Sequence, residues 1–317
     1  MLGIVALPAG LTLHSVRVAA VLQIPGANPT PHGYTWSLLL FLVPIAAIAG
    51  WFLPSEGIEA PRRAFWLTLA VLVPLGFALD FFFARRFFIF PNAGATVGIN
   101  APALGHSIPI EEYAFYFSGF LAVLLLYIWL GEYWLAAYSV PADRGTESAG
   151  EERALGRLLG FHPASAIAGA ALIAAGIEWK KLLSPVPDGF PGYFIFIVAG
   201  ALVPSAILFP AARRLINWRA LSATMFIVVL ISLIWEVTLA LPYGWWGFRP
   251  QAMVGIPIRA WYGLPIEEVI VWVGVTYATV IVYEVMKAWL WVRRQASAPE
   301  TASSFHPHAR TPAASQK

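Results

Sequence analysis

The sequence predicts an all-α integral membrane protein with about seven transmembrane helices, arranged as two parallel three-helix repeats joined by a linker helix. Three observations predict this fold class. Of the 317 residues, 59% are hydrophobic and only 12% are charged, about half the charged share of a typical soluble domain. Apolar stretches long enough to cross a bilayer core of about 30 Å recur along the chain. The tetrapeptide PIEE occurs twice, each time at the start of such a stretch.

Seven apolar stretches are candidate spans. The fourth is the shortest and consists mainly of Ala, Gly and Ile. Residues 1–33 are apolar but interrupted by prolines, and we interpret them as an N-terminal extension. Residues 295–317 are rich in Ala, Ser, Pro and Thr, a composition typical of a disordered tail. The candidate spans are 36–53, 64–84, 112–131, 163–178, 193–210, 219–240 and 268–292.

The chain resembles itself at an offset of 156 residues. This offset relates the two PIEE segments, and it also relates Arg63 to Arg219 and Asp80 to Glu236. We therefore expect a first repeat over 34–138, a polar linker and connecting transmembrane helix over 139–184, and a second repeat over 185–294. Three spans reverse the direction of the chain, so the extra fourth span gives both repeats the same orientation.

The basic residues are distributed unequally between the two membrane faces that seven spans would define. Cytoplasmic loops carry the excess of Lys and Arg in membrane proteins. The face holding the N-terminus has the minority, and the opposite face, with the C-terminus, is predicted to be cytoplasmic in a multi-pass protein of the cell membrane. The minority set is Arg17, Arg85, Arg86, Lys180, Lys181, Arg249 and Arg259.

Several kinds of site are excluded or unexpected. The chain has no cysteine, which excludes a disulfide, a thiolate metal site and a cysteine nucleophile. It contains neither of the glycine-rich motifs that bind dinucleotides or nucleoside triphosphates, so no cofactor is expected. His106 lies near the first PIEE, but its counterpart is Tyr262, so a repeated metal-ligand set is missing. No metal and no nucleic acid is predicted as a partner.

The acidic residues are the main candidates for chemistry. Proline and glutamate are common in the first turn of a helix, so PIEE alone is also an ordinary helix start. However, Asp80 and Glu236 each lie 17 residues after Arg63 or Arg219, about 26 Å along a helix. Each acid should thus approach the PIEE of its own half. The predicted catalytic acids are Glu111, Glu112, Glu267, Glu268, Asp80 and Glu236.

Only one glutamate of each pair should face the shared interior, because neighbouring side chains on a helix point about 100° apart. Clustered carboxyl groups with little hydration favour their protonated forms. One of them can then act as a general acid on a substrate dissolved in the bilayer.

Aromatic residues accompany both PIEE segments. Trp and Tyr commonly anchor helices at membrane interfaces, but an aromatic face can also stabilise a desolvated cation by about 2 kcal/mol. Both interpretations are open from sequence. The predicted substrate-binding residues are Trp245, Trp246, Phe248, Tyr113 and Phe87.

These motifs resemble the lycopene cyclases of the heterodimeric type, which occur as two small subunits or as a fused chain. The similarity rests on HSIPIEEYAFYF (106–117), YGLPIEEVIVWV (262–273) and GWWGF (244–248), and covers 34–291. The first half departs from the pattern, with LDFFFARRFFIF in place of the second half's tryptophans.

The resemblance implies an intramolecular lyase or isomerase acting on a lipophilic carotene. An acid protonates a terminal double bond, the cation closes a six-membered β-type ring, and a base removes a proton without net redox change. It places the essential acidic motif on the four PIEE glutamates, and it implies other carotenoid-pathway enzymes as partners. Two alternatives remain: a carotenoid hydratase using the same cation, and a transporter or proton channel with acids along its path.

Overall fold

The computed structural model describes residues 31–58, 61–135 and 159–296, which are mostly helical. The predicted N-terminal extension up to residue 30, most of the polar linker and the tail beyond Ala296 lie outside the described residues. We number the helices α1 Gly33–Ala47, α2 Arg62–Phe87, α3 Ile110–Trp129, α4 Pro163–Leu182, α5 Gly192–Ala212, α6 Trp218–Trp235 and α7 Ile266–Ala296.

Six helices in the described part of the chain are long and apolar enough to cross a membrane. They belong to α1, α2, α3, α5, α6 and α7, some extended by a wider turn: Gly33–Ser55, Arg62–Phe87, Ile110–Tyr133, Gly192–Ala212, Trp218–Ala240 and Ile266–Arg293. The predicted fourth span does form a helix, α4. It is not among the six, because Glu178, Lys180 and Lys181 near its end lower its hydropathy.

Three helices continue into a wide π-type turn. α1 does so over Ile48–Phe52, before the short helix Leu53–Ser55; α3 does so over Leu130–Trp134, and α6 over Glu236–Ala240. Such turns often mark functional positions in helices. The last of them begins at Glu236, one of the predicted acids.

The helix starts follow local sequence rules. Asn217 caps α6 by accepting a hydrogen bond from the Ala220 N–H at 3.1 Å, as expected for Asn at this position. Pro163 occupies the first turn of α4, where its missing N–H costs nothing. Pro109 and Pro265 end the extended segments that lead into α3 and α7.

Three antiparallel two-stranded ribbons lie in the connections that follow α2 and α6. We number the strands β1 Phe88–Ile89, β2 Asn100–Ala103, β3 His106–Pro109, β4 Gly247–Phe248, β5 Pro257–Ile258 and β6 Leu264–Pro265. β2 pairs with β3 and β5 with β6, so each PIEE segment is preceded by its own ribbon. β1 pairs with β4, with Phe88 opposite Phe248. This last ribbon joins the two connections, and both PIEE segments therefore lie at the same end of the helices.

The main hydrophobic core lies between the helices on the other side of these segments. It is built from α1, α2, α3, α6 and α7, with fully buried Val123, Leu124, Val280 and Ile281 at its centre. The packing in this region positions α2, α3, α6 and α7, the helices that carry the predicted acids.

Candidate functional site

Each PIEE segment places its first glutamate in the first turn of a helix, where that glutamate holds the preceding loop. Glu111 Oε1 accepts hydrogen bonds from the Val97 N–H at 2.7 Å and the Thr35 hydroxyl at 2.5 Å. In the second half, Glu267 Oε1 accepts from the Val254 N–H at 2.5 Å. The first glutamate of each pair thus holds the backbone of the preceding loop in place.

The second glutamate of each pair faces a shared cavity. Glu112 and Glu268 both line it, together with Glu236 from the wide turn of α6. We call this space the acid cavity. Glu112 accepts a hydrogen bond from the Tyr34 hydroxyl at 2.8 Å. Tyr193 and Glu236 line the same cavity as Glu268.

Asp80 and Glu236 lie beside residues one helical turn after the second glutamates. The Trp272 indole N–H donates to Glu236 Oε1 at 2.9 Å, and the Tyr116 hydroxyl lies 3.4 Å from Asp80 Oδ1. The side chain of Asp80 is 0% exposed and that of Glu236 is 1% exposed. Asp80 itself does not line the acid cavity, but Tyr116, which lies next to Asp80, does.

The acid cavity has aromatic walls and a small free volume. Its free space is about 60 Å³, which is room for a few water molecules. A larger ligand enters only if the aromatic side chains separate. The aromatic lining consists of Tyr34, Phe88, Phe115, Tyr116, Phe120, Tyr193, Trp246, Phe248 and Trp272.

Several carboxyl oxygens at this site are buried and have no hydrogen-bond partner. These atoms are Oδ2 of Asp80, Oε2 of Glu236 and Oε1 of Glu268. A buried carboxyl oxygen without a partner is costly. Glu236 and Glu268 line the same cavity, so two carboxyl groups share this site.

The predicted substrate-binding residues are divided by the structure. Trp246 and Phe248 line the acid cavity. Trp245 does not; it packs behind the wall, stacked on Tyr34 with ring centroids 6.0 Å apart. Phe87 also lies away from the cavity, packed on Tyr193 at 5.3 Å, and Tyr113 donates to the Pro102 carbonyl at 3.0 Å. These three side chains do not line the acid cavity, since helix and loop geometry turns them elsewhere.

Sequence analysis missed Tyr34, which donates a hydrogen bond to Glu112, and Tyr193, which lines the acid cavity. Tyr34 and Tyr193 are each the second residue of a helix, after Gly33 in α1 and Gly192 in α5. The repeated Gly-Tyr pair is a visible signal. It was missed because these pairs are related by 159 residues, three more than the offset of the PIEE segments.

Tyr116 and Trp272 were missed as well. They follow Glu112 and Glu268 by four residues, which places them on the same helix face one turn later. The signal was the helical spacing together with the 156-residue offset, which relates the two to each other.

The arrangement can supply a proton and stabilise a cation in a space lined mainly by aromatic side chains. Buried acids supply the proton, and the faces of Trp246 and Trp272 offer π density to a positive charge. Within the described residues, no group of three His, Asp or Glu side chains is placed to hold a metal ion. Scans against protein-family models, curated proteins and solved structures return no match to this chain.

Proposed function

We propose that the chain is a carotenoid cyclase of the lycopene β-cyclase type, which closes the ends of a linear carotene by acid catalysis without redox change. The observation that carries this proposal is the acid cavity, in which three buried carboxyl groups meet an aromatic wall among apolar helices. A hydrocarbon substrate offers only double bonds to react with, so a strong proton donor and a cation-stabilising wall are the groups it requires.

In the proposed reaction, the Glu236–Glu268 pair donates a proton to the terminal double bond. The resulting tertiary cation is attacked by an internal double bond, which forms the ring carbon–carbon bond and moves the charge into the ring. Glu112, whose carboxylate accepts from Tyr34, then removes a ring proton to give the new double bond. One proton enters and one leaves, so the reaction needs no cofactor.

The proposal includes an architecture. Helices α1 to α3 form one repeat and α5 to α7 the second, and both have the same orientation because α4 crosses the membrane between them. The C-terminus is cytoplasmic, and the acid cavity lies near the opposite face. Other carotenoid-pathway enzymes are proposed as partners that deliver and accept the insoluble carotene.

The test is expression in a lycopene-accumulating bacterium, followed by chromatography of the pigments. The wild-type chain should convert lycopene to cyclised product. E112Q and E268Q keep the shape of the side chain but cannot transfer a proton, and each should lower conversion per unit of membrane-inserted protein at least about a hundredfold.

The matched control is E284Q. Glu284 is also a buried glutamate of α7, but it pairs with Lys287 at 2.8 Å, away from the acid cavity. Its conversion should stay within about twofold of wild type. Full activity of both E112Q and E268Q would refute the acid–base roles. A product heavier by one water would favour the hydratase, and unchanged lycopene in cells with well-inserted wild-type protein would favour the transporter.

A further inference from the structure

A second pocket lies outside the acid cavity, at the same end of the helices. It is open, has a volume of about 430 Å³ and is lined by Arg85, Arg86 and Arg249, with His106, Phe82 and Leu104 completing the wall. We call it the arginine pocket. Its volume falls in the usual range of small-molecule sites, and none of its residues takes part in the proposed reaction.

The arginines of this pocket are not used by the fold as ion-pair partners. In the part of the chain that the structure describes, none of the three is in a salt bridge. Near the end of α2, the Leu104 N–H donates to the Phe81 carbonyl at 2.7 Å, and the Arg249 N–H donates to the Phe87 carbonyl at 2.9 Å. Three permanent positive charges therefore converge there without a matching anion among the described residues.

The side chain of one of these arginines, Arg249, is held by a backbone contact. Arg249 Nε donates to the Arg85 carbonyl at 2.7 Å, so the guanidinium of Arg249 is held against the end of α2. That contact uses one of its five N–H donors, and the others stay available. Guanidinium groups match the oxygens of phosphate with two parallel hydrogen bonds.

His106 adds a further unsatisfied group. Its Nδ1 lies 2.8 Å from the Leu104 carbonyl oxygen and must be the donor there, because a carbonyl only accepts. Its Nε2 is buried without a partner.

The pocket also has an apolar rim that faces outward. Phe82, in the last turns of α2, is 50% exposed, and Leu104, in the turn between β2 and β3, is 61% exposed. Both lie at the end of the apolar helices, where a bilayer's headgroups would be. We propose that Arg85, Arg86 and Arg249 form a binding site for a phosphate group. The exposed apolar rim favours the phosphate of an anionic phospholipid over the free ion, since the acyl chains can cover Phe82 and Leu104.

Calorimetric titration of the delipidated protein in detergent tests this site. The probes are dihexanoyl phosphatidylglycerol, dihexanoyl phosphatidylcholine and inorganic phosphate. Saturable binding of phosphatidylglycerol is expected, and R85Q/R86Q should weaken it at least about tenfold, because the charge-assisted contacts of the pair together contribute at least about that factor. The matched control is R213Q/R214Q, which removes an arginine pair from the end of α5 and should change the dissociation constant less than twofold.

A second variant, R85K/R86K, tests the same site if the R85Q/R86Q protein inserts poorly into the membrane. R85K/R86K retains the charge but loses the planar fork, so binding should weaken measurably yet less than in R85Q/R86Q. Inorganic phosphate that binds as tightly as phosphatidylglycerol would assign the site to the free ion. Absence of saturable binding of all three probes, or equal weakening by the two arginine-pair variants, would overturn the proposal.

Discussion

At the residue scale, neighbouring glutamates of each PIEE segment have different tasks. Glu111 and Glu267 accept hydrogen bonds from backbone N–H groups of the preceding loops, whereas Glu112 and Glu268 line the acid cavity. The 100° step between adjacent helix positions separates the two tasks.

Because Glu267 holds a loop and Glu268 lines the cavity, we predict that replacing Glu267 mainly lowers stability and that replacing Glu268 mainly lowers turnover. E267Q keeps one oxygen for the Val254 N–H, so it should retain most activity, but it weakens a charge-assisted contact by about 1 kcal/mol. E268Q should insert normally and lose turnover. Melting temperature and pigment conversion, measured on the same membrane preparation, separate the two. Equal loss of turnover with equal stability in both variants would contradict the assignment.

Trp246 and Trp245 are also neighbours with different surroundings. If Trp246 contributes about 2 kcal/mol to a cation in the cavity, W246L should slow conversion about thirtyfold, and W246F should slow it less because it keeps a weaker π face. W245L, behind the wall, should instead lower the amount of inserted protein. Equal turnover of W246F and W246L would remove the cation-stabilising role.

At the scale of elements, the site depends on how closely α2 approaches α3. Gly76 in α2 has no side chain, and a Cβ built there would lie 2.7 Å from the ring of Tyr116. Tyr116 lines the cavity and lies beside Asp80. The tight packing of these two helices therefore positions the first-half acid.

We predict that Gly76→Ala displaces Tyr116 and lowers conversion at least about tenfold, while the protein still inserts. Overpacking of this kind costs about 1–3 kcal/mol. The control is Gly200→Ala in α5, where nothing lies within 4 Å of the added Cβ and no loss is expected. Conversion per inserted molecule is the measurement, and equal values for both variants would show that the contact is unimportant.

At the scale of the whole molecule, the β1–β4 ribbon and the acid cavity join the connections of both halves at one end. The cavity takes Glu112 from the first half and Glu236 and Glu268 from the second. One site, built from both halves, follows from this geometry.

The proposed orientation can be measured directly, because the chain has no native cysteine. Single cysteines at Ser107, in β3, and at Arg214, after α5, lie on exposed positions at opposite ends of the helices. With a cytoplasmic C-terminus, a membrane-impermeant maleimide should label S107C in intact cells and R214C only after permeabilisation. The reverse pattern would invert the proposed topology.

The sequence alone predicted the helical class, the helix positions and the acids, because burial in a bilayer demands long apolar stretches and leaves few charged residues unexplained. Asp80, Glu112, Glu236 and Glu268 could be singled out by spacing. Only the tertiary structure decided which glutamate of each pair faces the cavity and that Trp246 rather than Trp245 forms its wall. It also decided that Tyr34 hydrogen-bonds Glu112 and that Tyr193 lines the cavity. These features depend on helix rotation and on contacts between residues far apart in the chain, such as Tyr34 and Glu112, and local periodicity carries no information about either.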